Sequence, residues 1–224
     1  MRNLGEKPKE SAQPKMRHED PAIAAALAAL APKGVRIGHK VIAEGDEAAL
    51  LEEESEAFER SIPSVRRQSG AARRVARDIL GVMGFAAAPL PRTRNGPPKW
   101  PVGVVGSLAH DDAIAVAAVA SAQTYEGIGV DVEPAEPLPA DLAALVATVS
   151  ERRRYTASLL ESRVLFAVKE AIYKAQFPSD GLFLDFQEIE VDLDMKRGVT
   201  RTGRRVAISV TSFPRVLAFA FIPR

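Results

Sequence analysis

Hydrophobic and polar residues repeat along this chain with two spacings, one typical of helices and one typical of strands. Helical spacing, with prolines at two of the helix starts, predicts helices at 21–31, 46–58, 63–82, 141–148, 150–155 and 159–176. Alternating or continuously apolar runs predict strands at 34–42, 113–121, 128–133, 186–193, 206–213 and 216–223. The proline-rich and glycine-rich segments 88–106 and 134–139 are expected to be mainly loops, with a short turn at Glu126-Gly127 between two of the strands.

Each half of the chain contains helices and strands in a similar order. This order predicts an α+β protein built from two similar lobes. We place the lobes at 21–122 and 123–224, after a polar and disordered tail at 1–20. No internal sequence repeat is visible, so a similarity between the lobes would be structural only.

Composition narrows the range of functions. The chain has 224 residues, of which 46% are hydrophobic and 26% charged, as is typical of soluble globular proteins. The absence of cysteine excludes disulfides, thiolate zinc sites and cysteine nucleophiles. The formal net charge of +1 gives no overall indication of a nucleic-acid partner.

Two further absences bear on where the protein acts. No apolar run approaches the roughly 18 residues that a bilayer-spanning helix needs. The segment at 1–21 has no apolar core of the kind found in signal peptides. We therefore expect a cytoplasmic protein with no membrane partner.

The segment "IGVDVEP" at 128–134 places two acids in an otherwise apolar strand. Asp131 and Glu133 are two residues apart and project to one face, while Val130 and Val132 turn to the core. Two neighbouring carboxylates repel each other unless a positive charge lies between them, and Mg²⁺ favours such oxygen ligands. Considered alone, a solvated strand end is the commoner explanation of the pair.

The segment "LFAVKEAIYKA" at 165–175 carries a second set of polar residues. Phe166, Glu170 and Lys174 lie at i, i+4 and i+8 on one helical face, and Lys169 flanks them. A surface salt bridge between Glu170 and Lys174 would explain this pattern. Metal-assisted phosphoryl chemistry also requires a carboxylate, as metal ligand or proton acceptor, and lysines that neutralise phosphate oxygens.

The segment "WPVGVVGSLAHDD" at 100–112 contains the only Trp and one of the three His residues. A glycine-flanked turn before Ser107 and His110 could present hydroxyl, amide and imidazole groups to an anion. A loop histidine that is hydrogen-bonded to the backbone fits the sequence equally well. A Ser-His hydrolase is the weaker hypothesis, because the Ser-x-x-His spacing is not that of a nucleophile elbow.

The helix predicted at 63–82 is rich in arginine. Arg66, Arg73 and Arg77 are 7 and 11 positions apart and therefore share one helical face. Arg67 and Arg74 form a neighbouring row. A solvated basic face is the usual explanation, and the functional alternative is a phosphate clamp, to which guanidinium geometry is well suited.

Taken together, these motifs resemble those of the 4′-phosphopantetheinyl transferases, in particular the branch that includes the enterobactin synthetase D component. The matching motifs are "WPVGVVGSLAH" (100–110), "GIGVDVE" (127–133) and "FAVKEAIYKA" (166–175), and their order and separations also fit. Each motif is moderately specific, and the three together are highly specific. The arginine helix falls where the family has arginines that bind coenzyme A.

The resemblance implies a monomer of two similar α+β lobes with the active site in the cleft between them. It implies transfer of 4′-phosphopantetheine from coenzyme A, the co-substrate, to a serine of an apo acyl carrier or peptidyl carrier protein. The by-product would be adenosine 3′,5′-bisphosphate. The cofactor would be Mg²⁺, with Mn²⁺ as an alternative.

The resemblance also implies residue roles. The metal would be held by Asp131, Glu133 and Glu170. Glu170 would help to deprotonate the serine, directly or through water, and Lys174, with Lys169 nearby, would bind the pyrophosphate. The residues implied to bind coenzyme A are Arg66, Arg73, Asn95, Gly96, Pro98, Ala109, His110, Asp131, Lys169, Glu170 and Lys174.

The sequence departs from the family pattern at the implied coenzyme A contacts. Asn95 occupies the place of a usual lysine, and Ala109 that of a threonine before the family's histidine. The family's first arginine aligns with Val65, so that Arg66 is displaced by one position. Further departures are Gln68-Ser69 in place of a Glu-Phe-like pair and Asp111 in place of a common cysteine.

Two other functions are compatible with parts of the pattern. Some metal-dependent nucleases pair an Asp with a Glu-x-Lys on adjacent strands, but here Pro134-Ala135 follow Glu133 and the third acid lies on a helix. A non-catalytic relative that only binds carrier proteins or coenzyme A is the second alternative. The retained acids and Lys174 argue against it, because a cluster of acids is costly to keep.

Overall fold

Two antiparallel sheets, each packed against one long helix, form the fold in the computed structural model, which describes residues 19–86, 88–93, 96–155 and 158–224. The helices are α1 (Pro21–Leu30), α2 (Glu52–Ser55), α3 (Pro63–Val82), α4 (Ala140–Val146), α5 (Val149–Tyr155) and α6 (Leu159–Asp180). The strands are β1 (Arg36–Val41), β2 (Val104–His110), β3 (Ile114–Ser121), β4 (Tyr125–Glu133), β5 (Ile189–Asp192), β6 (Arg197–Thr200), β7 (Arg205–Thr211) and β8 (Val216–Pro223). This combination of helices and antiparallel strands confirms the predicted α+β class.

The two sheets are formed by successive parts of the chain. The first has three strands in the order β1-β3-β2, and the second has five in the order β4-β8-β7-β6-β5. Helix α3 packs on the first sheet and helix α6 on the second. The chain passes from one sheet to the other through the turn at residues 122–124.

Apolar side chains fill three layers. Between the two sheets, Val116 and Ala118 of β3 pack with Val130 and Val132 of β4, and Leu27 of α1 closes this layer. A second layer lies between α6 and the five-stranded sheet, and a third between α3 and the three-stranded sheet. Strand β4 therefore lies between two apolar layers, which holds its backbone rigidly.

Near the interface of the sheets, the structure differs from two predictions. The end of the predicted loop at 88–106 is the start of β2, and Gly106 lies inside this strand rather than in a turn. A Cβ at Gly106 would collide with the Trp100 ring, so this glycine makes room for an aromatic side chain. The predicted turn at Glu126-Gly127 is also wrong, because both residues belong to β4.

Elsewhere, the helix predicted at 46–58 is interrupted. It consists of a 3₁₀ turn at Asp46–Ala49, helix α2, and a second 3₁₀ turn at Glu56–Phe58. Leu50 and Leu51 are extended between the first two, with ψ angles of 122° and 165°. Strand β6 was not predicted, because its four residues are too few for an alternating pattern to be recognised.

The first helix and the N-terminal segment complete the description. Of the predicted tail at 1–20, residues 1–18 lie outside the described residues. Asp20 caps α1, since its side chain accepts hydrogen bonds from the backbone N–H groups of Ala22 and Ile23 at 2.8 and 3.3 Å. Across the described ranges, no helix combines the length and the apolar character that crossing a membrane requires.

Candidate active site

Strand β4 carries the two predicted acids on one face and core residues on the other. Val130 and Val132 are at most 1% exposed and pack towards the three-stranded sheet. Asp131 and Glu133 face α6, from which each receives a cationic partner. The period of two along a strand produces this division.

Two glycines bring α6 unusually close to β4. A Cβ at Gly127 would overlap the carbonyl oxygen of Ala175, and one at Gly129 would overlap that of Ala171. Only a residue without a side chain allows this approach of helix to strand. Because these glycines share a face with Asp131, the side chains of the same helix reach the acids directly.

The closest contact is between Asp131 and Lys174. The Lys174 Nζ donates to Asp131 Oδ1 at 2.6 Å and lies 3.4 Å from the carbonyl oxygen of Val130. The carboxylates of Asp131, Glu170 and Glu133 raise the pKa of Lys174, against the opposing effect of desolvation. Lys174 is therefore a stable cation at the centre of the acids.

Asp131 itself is almost completely buried. Burial raises the pKa of its carboxyl group, and the ammonium of Lys174 counteracts this effect. Its second oxygen, Oδ2, is buried and has no hydrogen-bond partner among the described residues. Buried polar atoms are normally paired, so an unpaired carboxylate oxygen beside a cation is a place where a ligand would bind.

Glu170 lies one helical turn before Lys174 on the face towards β4. Desolvation raises the pKa of its carboxyl group, Lys174 opposes the shift, and the charge on Asp131 adds to it. Its carboxylate accepts no hydrogen bond from any residue that the structure describes. A carboxylate with a raised pKa and no fixed partner is suited to accept a proton.

A small cavity opens beside Glu170. It has a volume of about 190 Å³, and Tyr173, Phe183, Phe186 and Lys169 contribute to its lining. The rings of Phe183 and Tyr173 are 5.7 Å apart. The carboxylate thus borders an aromatic wall on one side and the acids of β4 on the other.

The donor set can be compared with the requirements of a divalent cation. Glu133 pairs with Arg163, whose guanidinium donates to Glu133 Oε2 at 2.7 Å. Burial and Asp131 raise the pKa of Glu133, whereas Arg163 lowers it. Within the described ranges, no group of three His, Asp or Glu side chains lies close enough to chelate an ion. The free oxygen of Asp131 and the carboxylate of Glu170 still fit the oxygen ligands that Mg²⁺ requires.

His110 reaches this region from the other sheet. The hydroxyl of Ser107 accepts a hydrogen bond of 3.0 Å from the backbone N–H of Val130, which fixes β2 against β4. Partial desolvation lowers the pKa of His110, and the positive charge of Lys174 lowers it further. His110 is thus biased towards the neutral imidazole, and Ser107 holds the two sheets together. Ala109 is buried in the layer between the sheets.

The arginines of α3 are mostly occupied inside the protein. Arg77 makes two hydrogen bonds to buried Glu54, at 2.7 and 3.0 Å. Arg73 is 4% exposed and donates to the carbonyl oxygen of Leu90 at 3.0 Å. Burial lowers the pKa of Arg73 to about 10, with Arg92 and Arg77 adding to the shift and Glu54 opposing it.

Arg66 differs from the two arginines that follow it on the same face. Its Nε atom is buried and has no partner among the described residues. Among the described residues, Arg66 therefore has a buried guanidinium donor without a partner, whereas Arg73 and Arg77 each make hydrogen bonds inside the protein. An unused guanidinium donor is available to an anionic ligand.

The proline-rich loop lies beside these arginines. Asn95, predicted to contact coenzyme A, lies outside the described residues. Gly96 has φ = 107°, a left-handed conformation that favours glycine. Its carbonyl oxygen accepts a hydrogen bond of 3.1 Å from Arg92, and Pro98 forms an isolated bridge with the same arginine.

Lys169 borders the same cavity as Glu170, but its ammonium is not grouped with that of Lys174. Its side chain is fully buried, and its Nζ donates to Glu151 at 2.6 Å and to the carbonyl oxygens of Val146 and Phe186 at 2.8 and 2.9 Å. It projects away from β4 and into the packing between α6, α5 and the end of α4. This differs from the expectation that both lysines of the motif lie together at a phosphate site.

Two family models match the chain over most of both sheets. The model described as the 4′-phosphopantetheinyl transferase N-terminal domain matches residues 53–120. The model described as the 4′-phosphopantetheinyl transferase superfamily matches residues 127–216, which include Asp131, Glu170 and Lys174.

Three similar proteins are also named 4′-phosphopantetheinyl transferases. The 4′-phosphopantetheinyl transferase Svp of Streptomyces mobaraensis is 37% identical over 187 residues, which cover 80% of this chain and 75% of Svp. Npt of Nocardia iowensis is 36% identical over 147 residues, 64% of this chain and 66% of Npt. PptT of Mycobacterium tuberculosis is 33% identical over 148 residues, 64% of this chain and 65% of PptT.

The chain belongs to the 4′-phosphopantetheinyl transferase superfamily. It is an enzyme of this type, as the three motifs predicted, and its two-sheet α+β structure is consistent with the family's fold. Four of the predicted active-site residues lie close together, and they come from three secondary-structure elements. They are His110 of β2, Asp131 of β4, and Glu170 and Lys174 of α6.

Two arginines that pair with acids of this region were not predicted from the sequence. Arg163 pairs with Glu133, and Arg215 pairs with Asp111. Arg163 is 7 positions before Glu170 and 11 before Lys174, so helical spacing could have placed it on the same face. No comparable signal marks Arg215, which precedes β8 and is 104 positions from its partner.

Proposed function

We propose that this transferase moves 4′-phosphopantetheine from coenzyme A to a serine of an apo acyl carrier or peptidyl carrier protein. The reaction is Mg²⁺-dependent and releases adenosine 3′,5′-bisphosphate. We further propose, from the three sequence motifs, that the chain belongs to the branch of the family that includes the enterobactin synthetase D component. The observation that carries the proposal is Asp131, whose Oδ1 binds the Lys174 ammonium, whose charge acts on Glu170, and whose buried Oδ2 has no hydrogen-bond partner among the described residues.

Charge complementarity supports coenzyme A as the donor. Its pyrophosphate and 3′-phosphate are anionic, and cationic groups border the site from both sheets. Lys174 lies on the β4 side, and Arg66 on α3 retains an unused donor. Lys174 would bind the pyrophosphate, and Arg66, Arg73, Gly96, Pro98 and His110 would contact the nucleotide end.

The carboxylates would hold the metal. The oxygen ligands would come from Asp131, Glu133 and Glu170. Glu133 would give up its hydrogen bond from Arg163 when the metal ion binds. A bound Mg²⁺ supplies positive charge that stabilises negative charge developing on the pyrophosphate. Asp131 is the best prepared ligand, because no described residue pairs with its Oδ2.

Two residues of the chain would carry out the proton transfer and the stabilisation of the leaving group. Glu170 takes the proton of the carrier serine, directly or through water, which suits its raised pKa. The serine oxygen then bonds to the phosphorus on the pantetheine side, and the bond from that phosphorus to the bridging oxygen breaks. The electron pair leaves with adenosine 3′,5′-bisphosphate, whose negative charge Lys174 stabilises. The nucleophile comes from the carrier, so the enzyme needs none of its own.

The test is a transfer assay. The purified protein is incubated with coenzyme A, Mg²⁺ and a panel of apo acyl carrier and peptidyl carrier proteins, and each carrier is weighed by mass spectrometry. We expect one or more carriers to gain the mass of phosphopantetheine. If no carrier gains mass while the protein still binds coenzyme A, the proposal is wrong and binding without catalysis takes its place.

A further inference from the structure

We propose that Lys169 is a positioning residue, which holds α6 in the orientation that presents Glu170 and Lys174 to β4. This role rests on the proposed transfer function. It replaces the pyrophosphate contact that the motif predicted for Lys169. The buried partners of Lys169, and a matching arrangement in the other half of the chain, support this role.

The Lys169 ammonium is saturated by the protein. Its three donors correspond to three acceptors, which are Glu151 at 2.6 Å, the carbonyl oxygen of Val146 at 2.8 Å and that of Phe186 at 2.9 Å. The side chains of Lys169 and Glu151 are both 0% exposed. A phosphate could bind this ammonium only by breaking a buried ion pair, which would leave an uncompensated carboxylate in the interior.

Glu151 is in turn anchored to two other elements. Its Oε2 accepts the backbone N–H of Thr148 at 2.8 Å, and its Oε1 accepts that of Val191 in β5 at 2.6 Å. The Thr148 hydroxyl accepts the backbone N–H of Glu151 at 3.2 Å, which completes a capping box at the start of α5. Lys169 therefore joins α6 to α5 and to the edge of the five-stranded sheet through a single carboxylate.

The N-terminal half contains the same arrangement around Glu54. This buried carboxylate accepts the backbone N–H of Leu51 at 2.9 Å, at the start of the short helix α2. It also accepts the backbone N–H of Leu90 at 2.7 Å and binds Arg77 of the long helix α3 at 2.7 Å. Each long helix is thus fixed to a buried glutamate of a short helix, by Lys169 in α6 and by Arg77 in α3, where Arg73 also lies 3.9 Å from the same carboxylate.

This correspondence assigns Lys169 its role. Arg77 and Lys169 occupy equivalent places in the two arrangements, and both cations are nine-tenths or more buried. A cation that recurs at the same structural position in both halves serves the packing of the long helix. The similarity of the two halves therefore extends from the order of elements to individual buried ion pairs.

The link to catalysis comes from the two sides of α6. On the β4 side, the carbonyl oxygens of Ala171 and Ala175 lie against Gly129 and Gly127 and set the depth of the helix. On the other side, Lys169 fixes its rotation and its position along the axis. Glu170 and Lys174 lie between these contacts. A displacement on the order of 1 Å at reacting groups costs about 100-fold in rate.

The variants for the test are Lys169→Met and the double variant Lys169→Met/Glu151→Gln. The first leaves the Glu151 charge buried and unpaired, whereas the second restores neutrality and keeps an acceptor for the Val191 N–H. Lys33→Met, which alters an exposed lysine, is the matched control. For each folded variant we measure kcat and KM for coenzyme A, and the dissociation constant of coenzyme A by calorimetry.

A positioning role gives a distinct result. Lys169→Met lowers kcat by about 10-fold or more, and the double variant recovers most of the lost rate together with any affinity for coenzyme A that the displacement of Lys174 removes. A weaker affinity for coenzyme A in both variants, with a smaller salt dependence, would show that Lys169 binds phosphate. An unchanged kcat with a lower melting temperature would reduce it to a structural residue. Either of these results overturns the proposal.

A second measurement uses the unaltered protein, in case Lys169→Met does not fold. Lysines are acetylated with and without coenzyme A, and labelled positions are identified by mass spectrometry. We expect Lys169 to stay unlabelled in both samples, while coenzyme A protects Lys174. Labelling of Lys169 that coenzyme A suppresses would overturn the proposal. Wild-type transfer is assayed in parallel, so a failure of the proposed function is seen separately.

Discussion

The ammonium nitrogen of Lys174 lies 2.6 Å from Oδ1 of Asp131, although the two residues are 43 positions apart. This contact joins helix α6 to strand β4 at the point where the acids of the chain converge. Oδ2 of the same carboxylate is buried and has no hydrogen-bond partner within the part of the chain that the structure describes. The protein thus pairs one oxygen of this carboxylate and leaves the other as a buried acceptor that a ligand would satisfy.

The close approach of α6 to β4 should depend on Gly129. In Gly129→Ala the new methyl group meets the carbonyl oxygen of Ala171, so the helix must move away and carry Glu170 and Lys174 with it. We expect a loss of stability on the order of 1–3 kcal/mol, as for other overpacked sites. We also expect a loss of transfer activity per folded molecule, measured by denaturant unfolding and by the carrier assay.

The matched control for this change is Gly81→Ala. Gly81 lies in helix α3, and a Cβ there would meet no atom within 4 Å. The substitution should leave activity unchanged and stabilise by up to about 1 kcal/mol, because alanine favours helix. Equal effects of the two substitutions would contradict the account of the glycine contact.

The carboxyl group of Glu170 should contribute less to the stability of the fold at neutral pH than at acid pH. Desolvation raises its pKa in the folded state, so the native protein binds this proton more tightly than the unfolded chain does. The buried charge destabilises the fold above the native pKa, and this effect is lost below the unfolded pKa, which is about 4.3. In metal-free buffer, Glu170→Gln should therefore raise the melting temperature at pH 7, and the gain should decline as the pH falls.

Glu136→Gln supplies the control for the pH experiment, because Glu136 is exposed. It should change the melting temperature little at any pH. A Glu170→Gln variant that is equally or less stable than wild type at pH 7 would show that Glu170 is better solvated or paired than the structure indicates.

Ser107 should be needed for stability rather than for chemistry. Its hydroxyl accepts the buried N–H of Val130, and Ser107→Ala leaves this donor unpaired at a cost on the order of 1–3 kcal/mol. Ser121→Ala, which removes an exposed hydrogen bond to Gln123, should cost much less. We expect the activity of folded Ser107→Ala to stay near that of wild type. Complete inactivation of a stably folded Ser107→Ala would instead favour a nucleophilic serine.

The fold could be predicted where a local pattern decides the structure. Helix α3 was predicted over its observed range because Pro63 starts it and Gly81 and Gly84 mark its end. The two faces of β4 followed from alternation alone. Gly106 was misinterpreted because a glycine that accommodates a ring and a glycine that makes a turn look alike in a sequence. Only the position of Trp100 in the structure distinguishes them.

The candidate site could be predicted in part, for a related reason. Motif resemblance selected Asp131, Glu170 and Lys174, and the structure brings them together. The same motif includes Lys169, and its separation from Lys174 depends on the burial of Glu151, 18 positions earlier. Thr148 and Glu151 form a capping box in the structure, but nothing local in the sequence shows that this glutamate is buried against a lysine of the next helix.

The central claim is that Asp131 belongs to the catalytic centre, and single-turnover transfer by Asp131→Asn tests it most directly. Asparagine keeps the shape of the side chain and removes the charge that Lys174 and a bound metal need. Transfer of phosphopantetheine to an apo carrier is followed by mass spectrometry at saturating coenzyme A and Mg²⁺, with circular dichroism to confirm folding. We expect the rate to fall by about 100-fold or more. A folded Asp131→Asn variant that transfers at the wild-type rate would contradict the account.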